Sequence, residues 1–543
     1  MSGRSDDVGG YPEGEGVIWL SESITRRNLL RLAAGASLSA SALVAAACGG
    51  NSGSSSSTAA SGDKIKRGGT LRFAISDASA TEKLDPAVSF TTNDAIYCGH
   101  IFESLTTTDT QWNVKPPLAV GWKANADATE WTFDLREGVK FHDGTPFTSK
   151  DVVFSLKRLL VKDLGSSMFA RLSPSLAPDG ITAPDAKTVV LKLKRADSLI
   201  PVALALRNAK IVKDGTKEFT VATAIGTGPF KLKSWTPGRS WSLEKNPDYW
   251  QKGLPYLDGV TAVIVPEQAT KLQSVASGQN DLTDAIELSS ISTVENNPNV
   301  KLARLENRQS WVFAFDHTKK PFSDERVMTA IKLAQDRKQI LSSVLQGTGA
   351  VTGDIPIPTD SQFYPEGLNT ETNIEQAKAL LAEAGYPNGL DIELNTSGVA
   401  AGMVEMATAF QQVMKPAGVN VKLKQWPTSA YWNKAWMQAP AFQDYWNSRH
   451  PADILSLFYR SDAVWNEASY KDPAFDKQID EVFATTDTRQ QRTLIQAAFK
   501  YAAEKVPYAI PVFAPQVNVH KKNIQGVELN YTDYVSLMKA SKA

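Results

Sequence analysis

The sequence has few of the residues that build disulfides and metal sites, and it has no net charge. Its 543 residues include two cysteines and five histidines, and lysine plus arginine equals aspartate plus glutamate at 58 each. A chain without a basic field does not attract nucleic acid. If Cys48 is modified, Cys98 is left alone, which excludes an intramolecular disulfide and a cysteine-rich metal site. We therefore expect no nucleic-acid partner, no cofactor and no metal.

Signatures of catalysis are also missing from the sequence. It has no Gly-x-Ser-x-Gly elbow, no His-Glu-x-x-His pair and no Gly-Lys pair that could belong to a phosphate-binding loop. The five histidines are scattered without the spacing of metal ligands. We therefore predict no catalytic residues and expect a protein that is not an enzyme.

No hydrophobic run is long enough to span a membrane as a helix, which takes about 20 apolar residues. Residues 32–47 are small and apolar, carry no charge and end in three alanines. They follow residues 25–31, Thr-Arg-Arg-Asn-Leu-Leu-Arg, which resemble a twin-arginine export motif. The pattern predicts that residues 1–47 are a twin-arginine signal peptide.

Cys48 lies where the signal ends, after a Val-Ala-Ala-Ala stretch that resembles a lipoprotein cleavage site. The residues after it are dominated by Gly, Ser and Ala, the composition of a flexible coil. We expect acylation of Cys48, a tether at residues 48–66, and a protein anchored at the extracytoplasmic face of the cell membrane. A signal peptide with an incidental cysteine and an uncleaved N-terminal anchor are the alternatives.

The rest of the chain is too long for one hydrophobic core, so two or three packed units are expected. Alternating apolar residues predict strands at residues 69–76 and 130–135. Helical spacing predicts a helix from Ser149, capped by Thr148 or by Ser149 itself, and another helix around residues 199–207.

Longer helices are expected in the second half of the chain. One is predicted over residues 324–345. A strand at residues 391–395, a helix at about 404–415 and a strand at 420–425 predict a βαβ unit within a mixed sheet.

Several segments resemble family 5 of the bacterial extracellular solute-binding proteins, the receptors of ABC importers for oligopeptides, dipeptides and nickel chelates. The closest match runs from Trp131 through Phe141-His-Asp-Gly-Thr-Pro146 to Asp151. Further segments occur in the family's order: Gly226-Thr-Gly-Pro-Phe230, Asn246-Pro-Asp-Tyr-Trp250, Phe322-Ser-Asp-Glu-Arg-Val327, Asp472-Pro473 and Val506-Pro-Tyr-Ala-Ile-Pro511.

The resemblance implies a mixed α/β (α+β) fold with two lobes joined by a hinge, like that of periplasmic binding proteins. The chain would cross between the lobes near Arg308 and again near Lys500, and the solute would bind between the lobes. The implied boundaries are 67–308 plus 500–543 for the discontinuous lobe 1, about 108–205 for a subdomain inserted in it, and 309–499 for lobe 2.

The implied function is the substrate-binding component of an ABC importer. It would act as a monomer, capture an oligopeptide or peptide-like solute, and deliver it to the permease and ATPase subunits. A receptor for a sugar, an opine or a metal chelate is one alternative, and an exported hydrolase is another. A role in sensing rather than import also stays open.

The main candidate for ligand contact is Arg449. In peptide-binding relatives an aspartate in this segment pairs with the ammonium group of the peptide, and our alignment places Arg449 there. A guanidinium offers donors to a carboxylate, phosphate or carbonyl group instead. The alternative is that Arg449 pairs with a protein carboxylate such as Asp453 and orders the loop. His450, beside it, could also be a nickel or haem ligand.

The remaining candidates are residues that could line the mouth between the lobes. Tryptophan rings either fill cores or stack on ligands, and both roles stay open for the three chosen here. The candidates are Trp311, Trp426, Trp446, Asn447 and Asp453 from the second lobe, and Phe90 and Asn93 from the first.

Overall fold

The computed structural model describes residues 65–76 and 78–543. The predicted signal peptide, Cys48 and nearly all of the tether lie outside the described residues. Residues Lys66–Ala543 form one compact unit. None of the helices in the described part is long and apolar enough to cross a membrane.

The unit contains strands throughout its length. In chain order they are β1 (Thr70–Ile75), β2 (Thr107–Thr108), β3 (Val114–Lys115), β4 (Ala119–Ala124), β5 (Glu130–Leu135), β6 (Leu176–Asp185), β7 (Thr188–Leu193), β8 (Phe230–Thr236), β9 (Ser240–Lys245), β10 (Gly259–Ile264), β11 (Leu282–Ala285), β12 (Val300–Phe315), β13 (Ala350–Val351), β14 (Leu390–Ser397), β15 (Val419–Trp426), β16 (Ala441–Asn447), β17 (Tyr508–Ala509), β18 (Val512–Lys521), β19 (Ile524–Gln525), β20 (Glu528–Asn530), β21 (Tyr534–Ser536) and β22 (Ser541–Lys542).

Helices alternate with these strands. They are α1 (Thr92–Ile101), α2 (Ser149–Leu159), α3 (Ser167–Leu172), α4 (Ile200–Ala203), α5 (Gln268–Ala276), α6 (Ile291–Val294), α7 (Glu325–Ala334), α8 (Arg337–Leu345), α9 (Ile374–Glu383), α10 (Met403–Met414), α11 (Thr428–Lys434), α12 (Pro451–Ile454), α13 (Pro473–Ala484) and α14 (Thr488–Lys505). A π-helical turn, Leu455–Tyr459, follows α12, and single 3₁₀ turns occur at Pro86–Val88, Lys162–Leu164, Leu288–Ser290 and Lys415–Ala417.

One large mixed sheet runs through the unit. Its strand order is β15-β14-β16-β12-β18-β11-β1-β10-β9-β8, with β13 and β17 attached to β18 and β12. A separate sheet, β4-β5-β7-β6, is built within the region predicted as an inserted subdomain. This confirms the mixed α/β fold.

Strand β12 supplies both faces of the large sheet with core residues. Trp311, Phe313 and Phe315 belong to the core beneath α7, α9 and α10. Val312 and Ala314 belong to the core on the opposite face, beneath α13 and α14. This alternation follows the two-residue period of a strand and explains why this stretch is apolar throughout.

The predicted βαβ unit is confirmed. β14 and β15 pair in parallel from Leu390↔Val419 to Ser397↔Trp426, and α10 connects them. The helix from Ser149 is confirmed as well. Thr148 is its N-cap and forms a capping box with Asp151, which satisfies backbone donors that would otherwise be unpaired.

Two predicted helices differ from the structure. The helix expected over residues 324–345 is two helices, α7 and α8, because Gln335 leaves the helical conformation and the Asp336 side chain caps α8 through the amide of Gln339. The helix expected around residues 199–207 is only α4, a single turn with Pro201 in its first positions, and after Ala203 the chain continues through non-helical turns.

The sheet is interrupted near Arg308, where the resemblance implies the first crossing between lobes. β12 pairs with β18 up to Leu305↔Gln516 and again from Gln309↔Ala514, with an irregular register between. Asn307 has φ of 54°, a left-handed conformation that asparagine tolerates better than most residues. Lys500 lies inside α14.

The segment Gly226-Thr-Gly-Pro-Phe230 serves the fold by letting two stretches of backbone approach closely. A Cβ atom at Gly226 would lie 1.9 Å from the Ile101 carbonyl oxygen, and one at Gly228 would lie 2.4 Å from the His100 carbonyl oxygen. Neither contact can form without moving the backbone.

Gly226→Ala is therefore expected to destabilise the protein by about 1–3 kcal/mol, the usual range for overpacking. Gly398→Ala is the matched control, because a Cβ there meets nothing within 4 Å. Urea unfolding followed by tryptophan fluorescence measures both variants. Equal midpoints for the two would contradict the close-approach role of Gly226.

Candidate functional site

The carboxyl ends of three parallel strands meet at one edge of the large sheet. β14 is parallel to β15 on one side and to β16 on the other. The strands end at Ser397, Trp426 and Asn447. In open α/β sheets ligands bind beyond the carboxyl ends of the strands. We call this edge the strand-end edge, and it brings two predicted site residues, Trp426 and Asn447, to one region.

Trp426 is half-buried and its ring position is fixed. Its indole N–H donates to Asn395 Oδ1 at 2.7 Å, and Lys424 Nζ lies 5.0 Å from the ring centroid. Neighbouring rings extend the aromatic surface: Trp432 lies 5.5 Å from Trp436 and 6.4 Å from Tyr445, centroid to centroid. The strand-end edge can therefore present apolar rings to a ligand.

Trp311 and Trp446 are buried on opposite faces of the sheet, at 3% and 4% exposure. Trp311 packs against Gly402 at the start of α10, and its indole N–H has no partner among the described residues. Trp446 stacks on Phe458 at 4.0 Å and donates to Glu467 Oε1 at 3.2 Å. The structure thus places both rings in the core, one on each face of the sheet that carries the strand-end edge.

Arg449 follows the edge directly and is half-buried. Its guanidinium lies 5.8 Å from the centroid of the Trp465 ring. Asp453, which we considered as a partner for Arg449, accepts from Arg171 Nε at 2.8 Å. Arg171 also donates from Nη1 to Asp197 Oδ2 at 2.8 Å. Asp453 is therefore one half of a buried two-carboxylate clamp on Arg171.

His450 is buried between aromatic rings. Its ring centroid lies 5.2 Å from that of Phe363 and 6.2 Å from that of Trp112, and its Nδ1 accepts from the amide of Ala452. Burial lowers the pKa of His450 to about 4, so the ring is neutral at physiological pH. In the described part of the chain, no group of three or more His, Cys, Asp or Glu side chains could hold a metal ion.

The two first-lobe candidates differ. Phe90 is 74% exposed although it is a large apolar side chain, and its amide is held by Asp94 at 2.7 Å. Asn93 is buried, donates to Glu82 at 2.8 Å and accepts from the indole of Trp241 at 2.7 Å. The structure therefore places Asn93 within the fold and leaves the Phe90 ring available to a ligand.

Contacts link the Phe90 loop to the strand-end edge. Arg207 Nη2 donates to the Phe90 carbonyl at 3.2 Å, and Arg207 Nη1 donates to Tyr534 Oη at 2.7 Å. Arg308 lies over the Tyr534 ring, and its own carbonyl accepts from the amide of Ser448, which precedes Arg449. Our sequence reasoning missed Arg207 and Tyr534 as site residues, because nothing local in the sequence marks them.

Two buried acids lie beneath the edge. Asp444 and Glu467 hydrogen-bond to one another, and the Trp436 indole donates to Asp444 Oδ2 at 3.0 Å and to Glu467 Oε1 at 3.3 Å. Burial raises the pKa of both carboxyls. Two carboxyl groups can hydrogen-bond only when one of them is protonated, so this contact and the burial both favour a shared proton.

A cavity of about 330 Å³ lies beside the Arg171 clamp, between α3 and the α12–α13 region. Two of the arginines that line it have carboxylate partners within the protein: Arg171 pairs with Asp197 and Asp453, and Arg460 pairs with Asp462 and Asp480.

Comparison with known proteins places the chain in a family. The model for bacterial extracellular solute-binding proteins, family 5 middle region, matches residues 113–466. The chain belongs to family 5 of these proteins. Proteins of this family are substrate-binding receptors of ABC importers.

Individual family 5 proteins are similar over most of their length. The periplasmic oligopeptide-binding protein OppA of Escherichia coli K12 is 28% identical over 478 residues, covering 81% of this chain and 86% of OppA. AgaA of A. tumefaciens R10, solved with agropinic acid, is 28% identical with a TM-score of 0.71, covering 88% and 99%. HbpA2 from Haemophilus parasuis is 25% identical with a TM-score of 0.77, covering 88% and 100%.

The acid pair gives this family 5 protein a pH-dependent stability. A carboxyl whose pKa is raised on folding destabilises the folded state as pH rises above the ordinary carboxyl pKa of about 4. Glu467→Gln removes that titration and keeps the shape of the side chain. We expect its unfolding midpoint to fall less than that of the wild type between pH 5 and pH 8. Exposed Glu366→Gln is the control, and equal pH slopes for all three proteins would contradict the account.

Asp453 is expected to contribute to stability rather than to ligand contact. Asp453→Asn leaves the buried Arg171 with one carboxylate and should destabilise the ligand-free protein by about 1–3 kcal/mol. Asp462→Asn, which alters a carboxylate 72% exposed, should cost under about 1 kcal/mol. Denaturant unfolding separates the two. Unchanged stability with lost solute affinity in Asp453→Asn would restore a ligand-binding role.

Proposed function

We propose that this chain is the lipid-anchored substrate-binding component of an ABC importer. It captures an oligopeptide or peptide-like solute between two lobes and delivers the solute to the permease. The observation that carries the proposal is the link between the exposed Phe90 loop and the strand-end edge, through Arg207, Tyr534 and Arg308.

Two lobes close around the solute in this proposal. Lobe 1 comprises residues 67–308 and the C-terminal segment, with the inserted subdomain at about 108–205, and lobe 2 lies between. The interruption at Asn307 in β12, opposite residues 514–516 of β18, supports a hinge at that point. Capture needs only that the solute bind the closed arrangement more tightly than the open one.

The proposed solute carries apolar groups and hydrogen-bond acceptors. Phe90 and the rings around Trp426 can bury apolar groups, and Arg449 can donate to a carboxylate or carbonyl. OppA is named for binding oligopeptides, which supports a peptide.

A receptor for an opine is the second candidate. AgaA favours this candidate, because it was solved with agropinic acid and its sequence identity to this chain equals that of OppA. The arginines of this site favour it as well.

Native mass spectrometry of the protein purified from its own host tests the proposal. The expected result is a co-purifying solute that tandem fragmentation identifies as a peptide. An opine would support the second candidate instead. Turnover of the solute into products on prolonged incubation would overturn the binding function in favour of a hydrolase.

Phe90→Ala should weaken binding of that solute about tenfold or more, because the exposed phenyl ring would be buried by the solute and its loss costs at least about 1.5 kcal/mol of binding free energy. Val263→Ala is the control, since Val263 is 43% exposed on β10, outside the proposed site. Isothermal titration calorimetry measures both variants. Equal affinity for wild type and Phe90→Ala would remove the Phe90 loop from the site.

The anchor is tested separately by the intact mass of the mature protein from the membrane fraction. The proposal expects a chain that begins at Cys48 and carries acyl groups. A mature mass without acyl groups would contradict the anchor and leave the solute-binding function untouched. Loss of solute uptake on deletion of the gene would distinguish import from sensing.

A further inference from the structure

Two arginines in this site lack the counter-charges that other buried arginines of the protein have. Arg337 pairs with Asp354, and Arg171 pairs with two aspartates. By contrast, neither Arg207 nor Arg308 has a carboxylate within 4 Å among the described residues. A partly buried cation without an anion nearby is less stable than a paired one, and a bound anion would remove that cost.

Both guanidinium groups are gathered around one ring. Arg308 Cζ lies 4.7 Å from the centroid of Tyr534, and Arg207 Cζ lies 5.7 Å from it. The Tyr534 hydroxyl accepts from Arg207 at 2.7 Å. The ring thus holds two like charges near each other, an arrangement that a bound anion would stabilise.

The backbone on both sides of this pair is strained. Asn307, directly before Arg308, has φ of 54°, and Tyr534 has φ of 63°. Left-handed conformations of residues other than glycine cost about 1–3 kcal/mol and concentrate at functional sites.

The Arg308 side chain keeps unused donors. Its Nη1 is buried without a hydrogen-bond partner among the described residues, while the side chain also hydrogen-bonds to Tyr534. The residue as a whole is half-buried, so its other donors are not sealed from the site. Asp94 lies near Arg207, but its carboxylate accepts from the amides of Phe90 and Thr91 instead.

We propose that Arg308 and Arg207, held around Tyr534, recognise a carboxylate group of the bound solute. The proposal rests on the function proposed above and names the chemistry of its solute. A planar carboxylate matches the fork of donors of a guanidinium, and two guanidiniums can neutralise it fully. The carboxylate can be the C-terminus of a peptide or an acid group of an opine.

Binding measurements with matched probes test the proposal. The probes are tri-alanine, tri-alanine amide and octopine, each titrated by calorimetry into wild type, Arg308→Gln and Arg207→Gln. Tri-alanine should bind wild type at least about tenfold more tightly than its amide, and this ratio should fall toward one in both variants. Binding of octopine alone, lost in both variants, supports the opine source.

Arg304→Gln is the control for these titrations, because Arg304 lies on the same strand and pairs with Glu295. It should bind like the wild type. Equal affinity for the acid and the amide, or full affinity in Arg308→Gln, overturns the carboxylate site. The solute identified on the wild-type protein by mass spectrometry would then still support the binding function.

The stability of the ligand-free protein decides the question even if none of the three probes binds. An unneutralised pair predicts that Arg308→Gln keeps or raises the thermal unfolding midpoint. Arg337→Gln, which leaves Asp354 buried without its cation, should lower the midpoint by several degrees. An equal loss in both variants would show that Arg308 has a structural partner and would overturn the proposal.

Discussion

The protein depends on one strand that belongs to both halves of its large sheet. β12 pairs with β18 along its first part and with β16 along its last part, and its register breaks around Asn307. The same strand supplies Trp311 to one core and Val312 to the other, so the two cores cannot move apart without disturbing it. At this break, the regular hydrogen bonding between β12 and β18 is interrupted. It also places Arg308 between the Phe90 loop and the strand-end edge. The same break therefore shapes both the sheet and the proposed site.

Cations that stabilise the fold and cations at the proposed site differ in whether they have carboxylate partners. Buried cations that stabilise the fold have carboxylate partners, as Lys271 has in Asp284 and Arg171 has in Asp197 and Asp453. At the site the pattern reverses, because Arg207 and Arg308 share a ring and lack a carboxylate. A protein gains stability when each buried cation has a carboxylate partner in the fold. A receptor gains affinity when the carboxylate partner of a cation is supplied by the solute. This contrast is the basis for proposing an acidic ligand for a chain that has no net charge.

Local patterns in the sequence predicted the elements that depend on local physics. The βαβ unit of residues 390–426 and the helix capped by Thr148 follow from hydrophobic period and capping chemistry, and both are present. The break at Gln335 was missed because the apolar spacing continues through it while the Asp336 cap restarts the helix. The partner of Asp453 could not be found locally, since Arg171 lies 282 residues away. Arg207 and Arg308 carry no motif at all, and only their meeting around Tyr534 distinguishes them.

The central claim is that the solute lies between the Phe90 loop and the strand-end edge, across the break in β12. A crystal structure of the protein with the solute that it carries from its own host tests this most directly. The account predicts solute atoms in contact with Phe90 and Trp426 and a solute carboxylate within hydrogen-bond distance of Arg308. A solute held instead in the cavity beside Arg171, with Phe90 and Arg308 untouched, would contradict it.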